Sequence, residues 1–373
     1  MSGLSKIEWC DATWNPVRGC SRVSEGCRNC YAERLAARFG WPMPGASTYL
    51  PTGERDDDPA RAAEMTEAGP RWTGRVALVP EALDWPLRRR KPIRIFVNSM
   101  SDLFHEALPS VHIAAVFGAM LLAQQHTFLI LTKRPARARA WMEWIATDPV
   151  FMGDTREGVK RFNGGPAATC LALLSNQVTD KNWRGPLFTA LLCSGVEPPV
   201  NAPLRKLWPL PNVWLGVSVE DQATADERMP ILQETPAAHR FISAEPLLGP
   251  IDFDASGSRG AEDGDPCSFS ALTGLDGVEP PIPGIDWVIA GGESGPGARP
   301  CEVQWIRSIV GQCRAASVPC FVKQVGSNAR EWRFLGRDHL YDTGDRRLRL
   351  KVRGKGGDPA EWTADLRVRQ VPA

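Results

Sequence analysis

"IRIFVNSM" (93–100), "LPSVHIAAVFGAMLLAQQ" (108–125) and "TFLILTK" (127–133) follow one another with only short gaps. The first and third are nearly unbroken apolar runs rich in β-branched and aromatic residues, as in strands buried on both faces. The middle stretch has the length of a helix. Strand, helix and strand in that order predict two parallel strands joined by a crossover helix, because parallel neighbours need a long connection. The rhythm continues in "RPARARAWMEWIA" (134–146), helix-like, and resumes in "VWLGVSVE" (213–220), "DQATADERMPILQE" (221–234) and "HRFISAEPL" (239–247). "DWVIAGGES" (286–294), "VQWIRSIVGQCRAA" (303–316) and "PCFVKQVG" (319–326) complete it. With a strand before Cys20 there are about seven such units, which predicts an α/β protein built as a partial or full parallel α/β barrel of the TIM type. An open, doubly wound sheet is the other arrangement that this alternation permits.

Polar residues end each strand: Asn98 and Ser99, Thr132 and Lys133, Ser218 and Glu220, Ser243 and Glu245, Gly291, Gly292 and Glu293, Lys323 and Gln324. In parallel α/β folds these ends line the active site, so the residues are expected to gather there. Pro246 restricts Glu245 to extended backbone, which projects its carboxylate from the strand tip. The glycines before Glu293 let backbone approach a ligand, and its carboxylate suits an ammonium or a ribose hydroxyl; a tight turn with a solvated carboxylate reads equally well. Lys133 and Lys323 are placed either to hold a carboxylate or phosphate or to snorkel at the rim. Asp102, His105 and Glu106 in "MSDLFHE" offer metal or acid–base chemistry, against which stands simple capping by Ser101 or Asp102.

Residues 1–326 are expected to form the barrel, with insertions at about 41–86, 147–211 and 252–284 that read as excursions or lids. Residues 327–373, with 11 Lys and Arg against 7 Asp and Glu, read as a small basic C-terminal appendage. Over all 373 residues, 44 basic side chains balance 43 acidic ones, which leaves no strong long-range pull on nucleic acid or membrane. Electrostatic docking must therefore be local, and "RRRKPIR" (88–94) and "DRRLRLKVRGK" (345–355) are the runs able to meet phosphate. A solvated edge is the plainer account of such runs. No secretory leader or membrane-length apolar run stands out, so a cytoplasmic protein without membrane association is expected. In that compartment the ten cysteines stay reduced. Cys170, Cys193, Cys267, Cys301, Cys313 and Cys320 lie singly and read as small hydrophobes.

The remaining cysteines are different. "NPVRGCSRVSEGCRNCYAER" (15–34) sets Cys20, Cys27 and Cys30 before a short helix in which Leu35 and Phe39 lie one turn apart and Gly40 provides the stop. Cys27 and Cys30 have the gap that lets two thiolates face one metal, and Cys20 can join from the preceding loop. Gly19 and Gly26, each directly before a cysteine, allow the backbone to fold closely. Three readings stay open: free thiols, structural zinc with Cys10 as fourth ligand, and an iron–sulfur cluster with one iron left for an exogenous group. Trp9 and Trp14 flank the loop and either shield it or pack the N-terminal segment.

"WNPVRGC" followed by "GCRNCYAER" resembles the radical S-adenosylmethionine superfamily, and within it the spore-photoproduct-lyase-like branch. More closely, "IEWCDATWNPVRGC", "FVNSMSDLFHE", "LTKRP", "WLGVSVE", "ISAEPLLGPI", "WVIAGGESGPGARP", "FVKQVG" and "KGGDPAEW" are similar to segments of a phage and bacterial family with a three-cysteine motif. The superfamily spacing is C-x-x-x-C-x-x-C with an aromatic before the last cysteine. Here six residues separate Cys20 from Cys27, and Asn29 takes the aromatic's place, with Tyr31 following. The resemblance implies a 4Fe-4S cluster on Cys20, Cys27 and Cys30, with S-adenosylmethionine near Asn98, Ser99, Ser218, Glu245 and Glu293. It also implies a reductant such as flavodoxin or ferredoxin and hydrogen abstraction from an organic substrate, with a nucleobase or nucleic acid the first expectation. The alternatives are a zinc-binding, nucleic-acid-associated module and a non-catalytic iron–sulfur phage accessory protein.

Overall fold

A computed structural model describes residues 2–44, 48–50, 52, 54, 61–147, 151–153, 160–162, 170, 208–254, 270–275, 281–331 and 354–372. The main sheet has eight strands: β1 (Gly3–Leu4), β2 (Ala12–Trp14), β3 (Arg94–Val97), β4 (Thr127–Thr132), β5 (Val213–Ser218), β6 (His239–Ala244), β7 (Trp287–Gly291) and β8 (Cys320–Gln324). Their spatial order is their order in the chain, from β1 to β8. β1 pairs antiparallel with β2, whereas β2–β3, β3–β4, β6–β7 and β7–β8 are parallel. Doubly wound sheets reverse their strand order partway; this one does not. Among the described residues β1 and β8 are the two ends and do not pair with each other, so the sheet is mostly parallel but not closed. The expectation of a full barrel is not met by the strand pairing.

The described residues include five α-helices: α1 (Tyr31–Phe39), α2 (Ser110–Leu122), α3 (Pro135–Thr147), α4 (Gln222–Glu234) and α5 (Val303–Ala315). None is long and apolar enough to cross a membrane. Proline at the first position of α3 is preorganised for a helix start, where its missing N–H costs nothing. α1 ends as its sequence predicts, at Gly40 in the left-handed conformation (φ 54°).

α1 packs through its small residues. Phe39 is exposed, and the helix buries Ala32, Glu33, Ala36 and Ala37. Small side chains let the helix approach the hairpin of residues 63–66 and 69–72, where Ala63 and Trp72 pack on it. That hairpin belongs to the stretch expected to be an excursion outside the core. In fact Ala62, Ala63, Val76, Ala77, Leu78 and Leu83 are all buried, and Val76–Leu78 pairs with both Val17–Arg18 and Thr48–Tyr49. The expected insertions at 147–211 and 252–284 lie largely outside the described residues.

By internal packing the chain forms two compact units. One comprises Met1–Val23, Cys30–Gly216 and Thr235–His239; the other comprises Ser24–Asn29, Val217–Glu234 and Arg240–Ala373. In the first, Phe117 of α2 meets Trp141 of α3 at 4.5 Å between ring centroids, and Trp14 meets Phe128 at 5.7 Å. Trp9 lies against Phe96 at 4.7 Å. Both N-terminal tryptophans are thus core side chains. In the second, Trp287 joins Phe241 and Phe321 at 6.2 and 6.3 Å. Residues near the C-terminus lie along β8: the Val322 N–H donates to Val368 O (2.8 Å) and the Gln370 N–H to Cys320 O (2.9 Å).

Candidate functional site

In the first unit the backbone leaves β2, turns through Gly19 (φ 85°) and reaches Cys20. A Cβ on Gly19 would run into the carbonyl of Arg75, so this glycine is required twice over. Just beyond β4, Arg134 stands next to Cys20 with its side chain only 4 % exposed. Its guanidinium distributes its donors widely. Nε donates to both Glu106 oxygens (3.0 and 2.8 Å), Nη1 to Asp102 Oδ2 (3.1 Å) and Cys20 Sγ (3.8 Å), and Nη2 to Ser21 O and Oγ (3.1 and 2.8 Å). Burial alone would make the guanidinium easier to deprotonate, but Asp102, Cys20 and Glu106 outweigh that and hold the proton more firmly.

Asp102 is the second member of this network. Its carboxylate also accepts from Thr132 Oγ1 (2.8 Å) and from the N–H groups of Phe104 (3.0 Å) and Lys133 (3.1 Å). It therefore caps its own turn, as one sequence reading allowed, and fixes Arg134 as well. His105 Nε2 lies 2.9 Å from Ser21 Oγ, and burial followed by the Arg134 charge pushes its pKa down to about 4. At neutral pH the ring is uncharged. Glu33, buried in α1, accepts the Trp72 N–H (2.8 Å) and pairs with Arg22, which pins the loop again two residues past Cys20.

The other expected residues of this unit sit around the same strand ends. Asn98 (φ 57°) accepts the Val17 N–H through Oδ1 at 3.3 Å, and its buried Nδ2 has no hydrogen-bond partner. Ser99 Oγ donates to Asn15 Oδ1 (3.2 Å), and the Ser99 carbonyl accepts the hydroxyl of Tyr31, the residue after Cys30.

In the second unit, Cys27 closes the short helical turn Glu25–Cys27. Asn29 Nδ2 donates to Glu293 Oε2 at 2.8 Å, and Arg299 binds the same carboxylate through Nε (3.0 Å) and Nη2 (2.5 Å). Arg299 Nη1 also donates to Glu25 O (2.7 Å). Burial would raise the Glu293 carboxyl, but the bonds from Arg299 and Asn29 prevail and hold it below its usual value. Glu293 thus anchors the cysteine loop instead of standing as a free carboxylate. Glu220 and Arg228 form an almost fully buried pair (3.1 Å), Arg228 also donates to Ser218 O (2.7 Å), and a Cβ on Gly26 would strike the Glu220 carboxylate. Glu245 pairs with Lys323 at 3.1 Å and lies 3.4 Å from Ser243 Oγ.

Sequence reasoning gave no role to Arg134, Arg299, Arg228 or Asn29. Arg134 had a signal in "LTKRP", a second cation after a strand end, but its partners at 20, 102 and 106 are too distant in sequence to be matched to it.

Whether these residues suit a metal cluster turns on the thiols. Among the described cysteines, Cys20, Cys27 and Cys30 are partly exposed, whereas Cys10, Cys170, Cys301, Cys313 and Cys320 are buried. Burial raises the Cys10 thiol to about 11 and the Cys301 thiol to about 12. A buried cation beside Cys20 suits an anionic sulfur centre, so the donor set fits. As placed, no three His, Cys, Asp or Glu among the described residues are grouped closely enough to hold an ion. Cys10 precedes β2 and sits level with Arg94 at the start of β3, whereas Cys20 follows β2 and touches Arg134 past the end of β4. The two thiols therefore belong to opposite ends of the strands.

No curated protein and no solved structure matches the chain. A family profile described as "Protein of unknown function (DUF5131)" matches residues 4–362. Spanning nearly all of its length, that match makes the chain a member of the DUF5131 family.

Proposed function

We propose that this protein is an iron–sulfur, S-adenosylmethionine-dependent radical enzyme, with Cys20, Cys27 and Cys30 as cluster ligands. One observation carries the reading: the motif thiols are the described cysteines open to solvent, while the others are buried and, at Cys10 and Cys301, hard to ionise. When bound, a four-iron cluster with one open iron supplies the electron for reductive cleavage of S-adenosylmethionine, from which hydrogen abstraction on an organic substrate follows.

The chain's own residues hold and charge the loop. Arg134 fixes Ser21 and places a permanent cation at Cys20, Glu33 fixes Arg22, and Glu293 with Arg299 fixes Glu25 and Asn29. The buried amide N–H group of Asn98 is a donor left over for a bound carboxylate or hydroxyl. The Glu245–Lys323 pair can exchange partners with an ammonium or carboxylate. Structural zinc on these cysteines lacks support for its fourth ligand, because Cys10 is buried at the other end of the strand.

Anaerobic reconstitution with iron and sulfide, then addition of S-adenosylmethionine and dithionite or reduced flavodoxin, tests the proposal. A brown chromophore lost in Cys20→Ser, Cys27→Ser and Cys30→Ser, together with 5′-deoxyadenosine formation, is expected. A colourless, zinc-loaded protein would refute it, and a cluster that never yields 5′-deoxyadenosine would reduce it to a non-catalytic iron–sulfur protein.

A further inference from the structure

The first unit has a cleft of about 840 Å³ at the end of its strands away from Cys20. Residues 4–8, Cys10 and Asp11, which lead into β2, form one wall, and residues 88–93, which lead into β3, form the other. The cations Arg88, Arg89, Arg90, Lys91 and Lys6 line it together with the carboxylates of Glu8 and Asp11. Asp11 is already engaged: Oδ2 accepts the Arg94 N–H at 2.7 Å and lies 3.8 Å from the Arg94 guanidinium. On a chain whose formal net charge is +1, this is a local excess of positive charge.

The basic run is held in shape. Turn bonds join Arg88 N to Asp84 O and Arg89 N to Pro86 O, and Gln125 Nε2 donates to Arg89 O at 2.8 Å. The Arg88 side chain pairs with Asp84, and the Arg89 guanidinium lies 4.2 Å from the Trp85 ring centroid. Arg89 Nε is buried without a hydrogen-bond partner, while Arg90 and Lys91 are exposed. Apolar surface adjoins this charge, for Ile7, Pro92 and Ile93 line the cleft together with Leu4, which is 84 % exposed on the edge strand.

We propose that this cleft binds the phosphate backbone of single-stranded nucleic acid. Successive cations in one groove match a ligand of repeating anions, as in the charged grooves that track single strands, and the aliphatic side chains beside them give the bases an apolar surface to lie on. The site is separate from the cysteine loop, so it stands whether or not Cys20, Cys27 and Cys30 hold a cluster.

The test uses the full chain prepared without iron and a fluorescein-labelled single-stranded 12-mer, read by anisotropy from 50 to 200 mM salt. Neutralising three or four phosphates gives a log–log slope of about −2 to −3. The double variant Arg90→Gln/Lys91→Gln, at exposed positions, loses about 1.4 from that slope and at least about tenfold in affinity at low salt. Arg38→Gln/Arg314→Gln, which removes two exposed cations elsewhere, changes neither, and unchanged thermal melting shows that both variants fold. Absence of salt-dependent binding overturns the proposal, as does wild-type affinity in Arg90→Gln/Lys91→Gln. Inorganic phosphate that competes as well as the oligonucleotide, phosphate for phosphate, makes this a small-anion site; binding of phosphatidylserine vesicles but not the 12-mer makes it a membrane surface. Either result also overturns it.

Discussion

Replacing Arg134 by methionine removes the cation on which the first unit's strand-end network depends. Asp102, whose side chain is 8 % exposed, would keep its bonds from Thr132, Phe104 and Lys133 but lose its ionic partner. Breaking a buried pair from one side costs about 3–5 kcal/mol, because the remaining charge is uncompensated. Glu106, at 58 % exposure, adds at most about 1 kcal/mol, and the two bonds to Ser21 add roughly 1 kcal/mol each before non-additivity reduces the sum. A loss of about 4 kcal/mol is therefore expected in urea unfolding, with a fall in Tm of roughly 10 °C. If the stranded carboxylate is the cause, adding Asp102→Asn to Arg134→Met recovers at least about 1 kcal/mol. Amide exchange at Ser21 and Arg22 should also quicken, since Arg134 holds the Ser21 carbonyl. A loss below about 1 kcal/mol in Arg134→Met, or no recovery in the double variant, would refute the reasoning.

Native alkylation with iodoacetamide at pH 7.5 should label Cys20, Cys27 and Cys30 well before Cys10 and Cys301, as read by peptide mass spectrometry. Bound iron and sulfide should protect those three; labelling of Cys10 at an equal rate contradicts the burial argument. Burial pushes His112 down to about 4 from 6.5, and burial with the Arg134 charge does the same to His105. Between those values the unfolded chain holds a proton that the folded ring refuses, so stability rises with pH and is lost on acidification from 6.5 toward 4. The loss reaches up to about 3 kcal/mol per histidine. His112→Phe should flatten part of this slope in urea titrations at pH 7, 5.5 and 4.5; an unchanged slope removes His112 from the account. Gly26→Ala drives a Cβ into the buried Glu220 carboxylate and should cost about 1–3 kcal/mol. Gly311→Ala in α5, with nothing within 4 Å of the added carbon, should instead gain about 0.5–1 kcal/mol in the same denaturation assay.

The strand and helix rhythm was legible because each strand is a short apolar run and each helix a longer patterned one. "TFLILTK" became Thr127–Thr132 and "VQWIRSIVGQCRAA" became Val303–Ala315 for that reason. Polar strand ends were legible too, as at Asn98, Ser99, Ser218 and Glu245, but their partners were not. The carboxylate of Glu293, which read equally as a ligand-binding group or a solvated turn residue, is held by Arg299 and Asn29. The helix and stop of α1 were legible from Leu35, Phe39 and Gly40, but its packing was not, because it rests on small alanines that fit under the Ala63–Trp72 hairpin. Residues 41–86 looked like surface because proline, glycine and charge dominate them, yet a few alanines, valines and leucines suffice to bury their inner side.

The strand order has a consequence for biosynthesis. Each strand of the main sheet lies beside the one that precedes it in the chain, so every new strand from β2 onward leaves the ribosome after a neighbour already exists. A doubly wound sheet grows in two directions and leaves an early strand with one open flank until much later segments arrive. Here assembly can advance along a single front at the pace of translation, with one exposed hydrogen-bonding edge moving ahead of it.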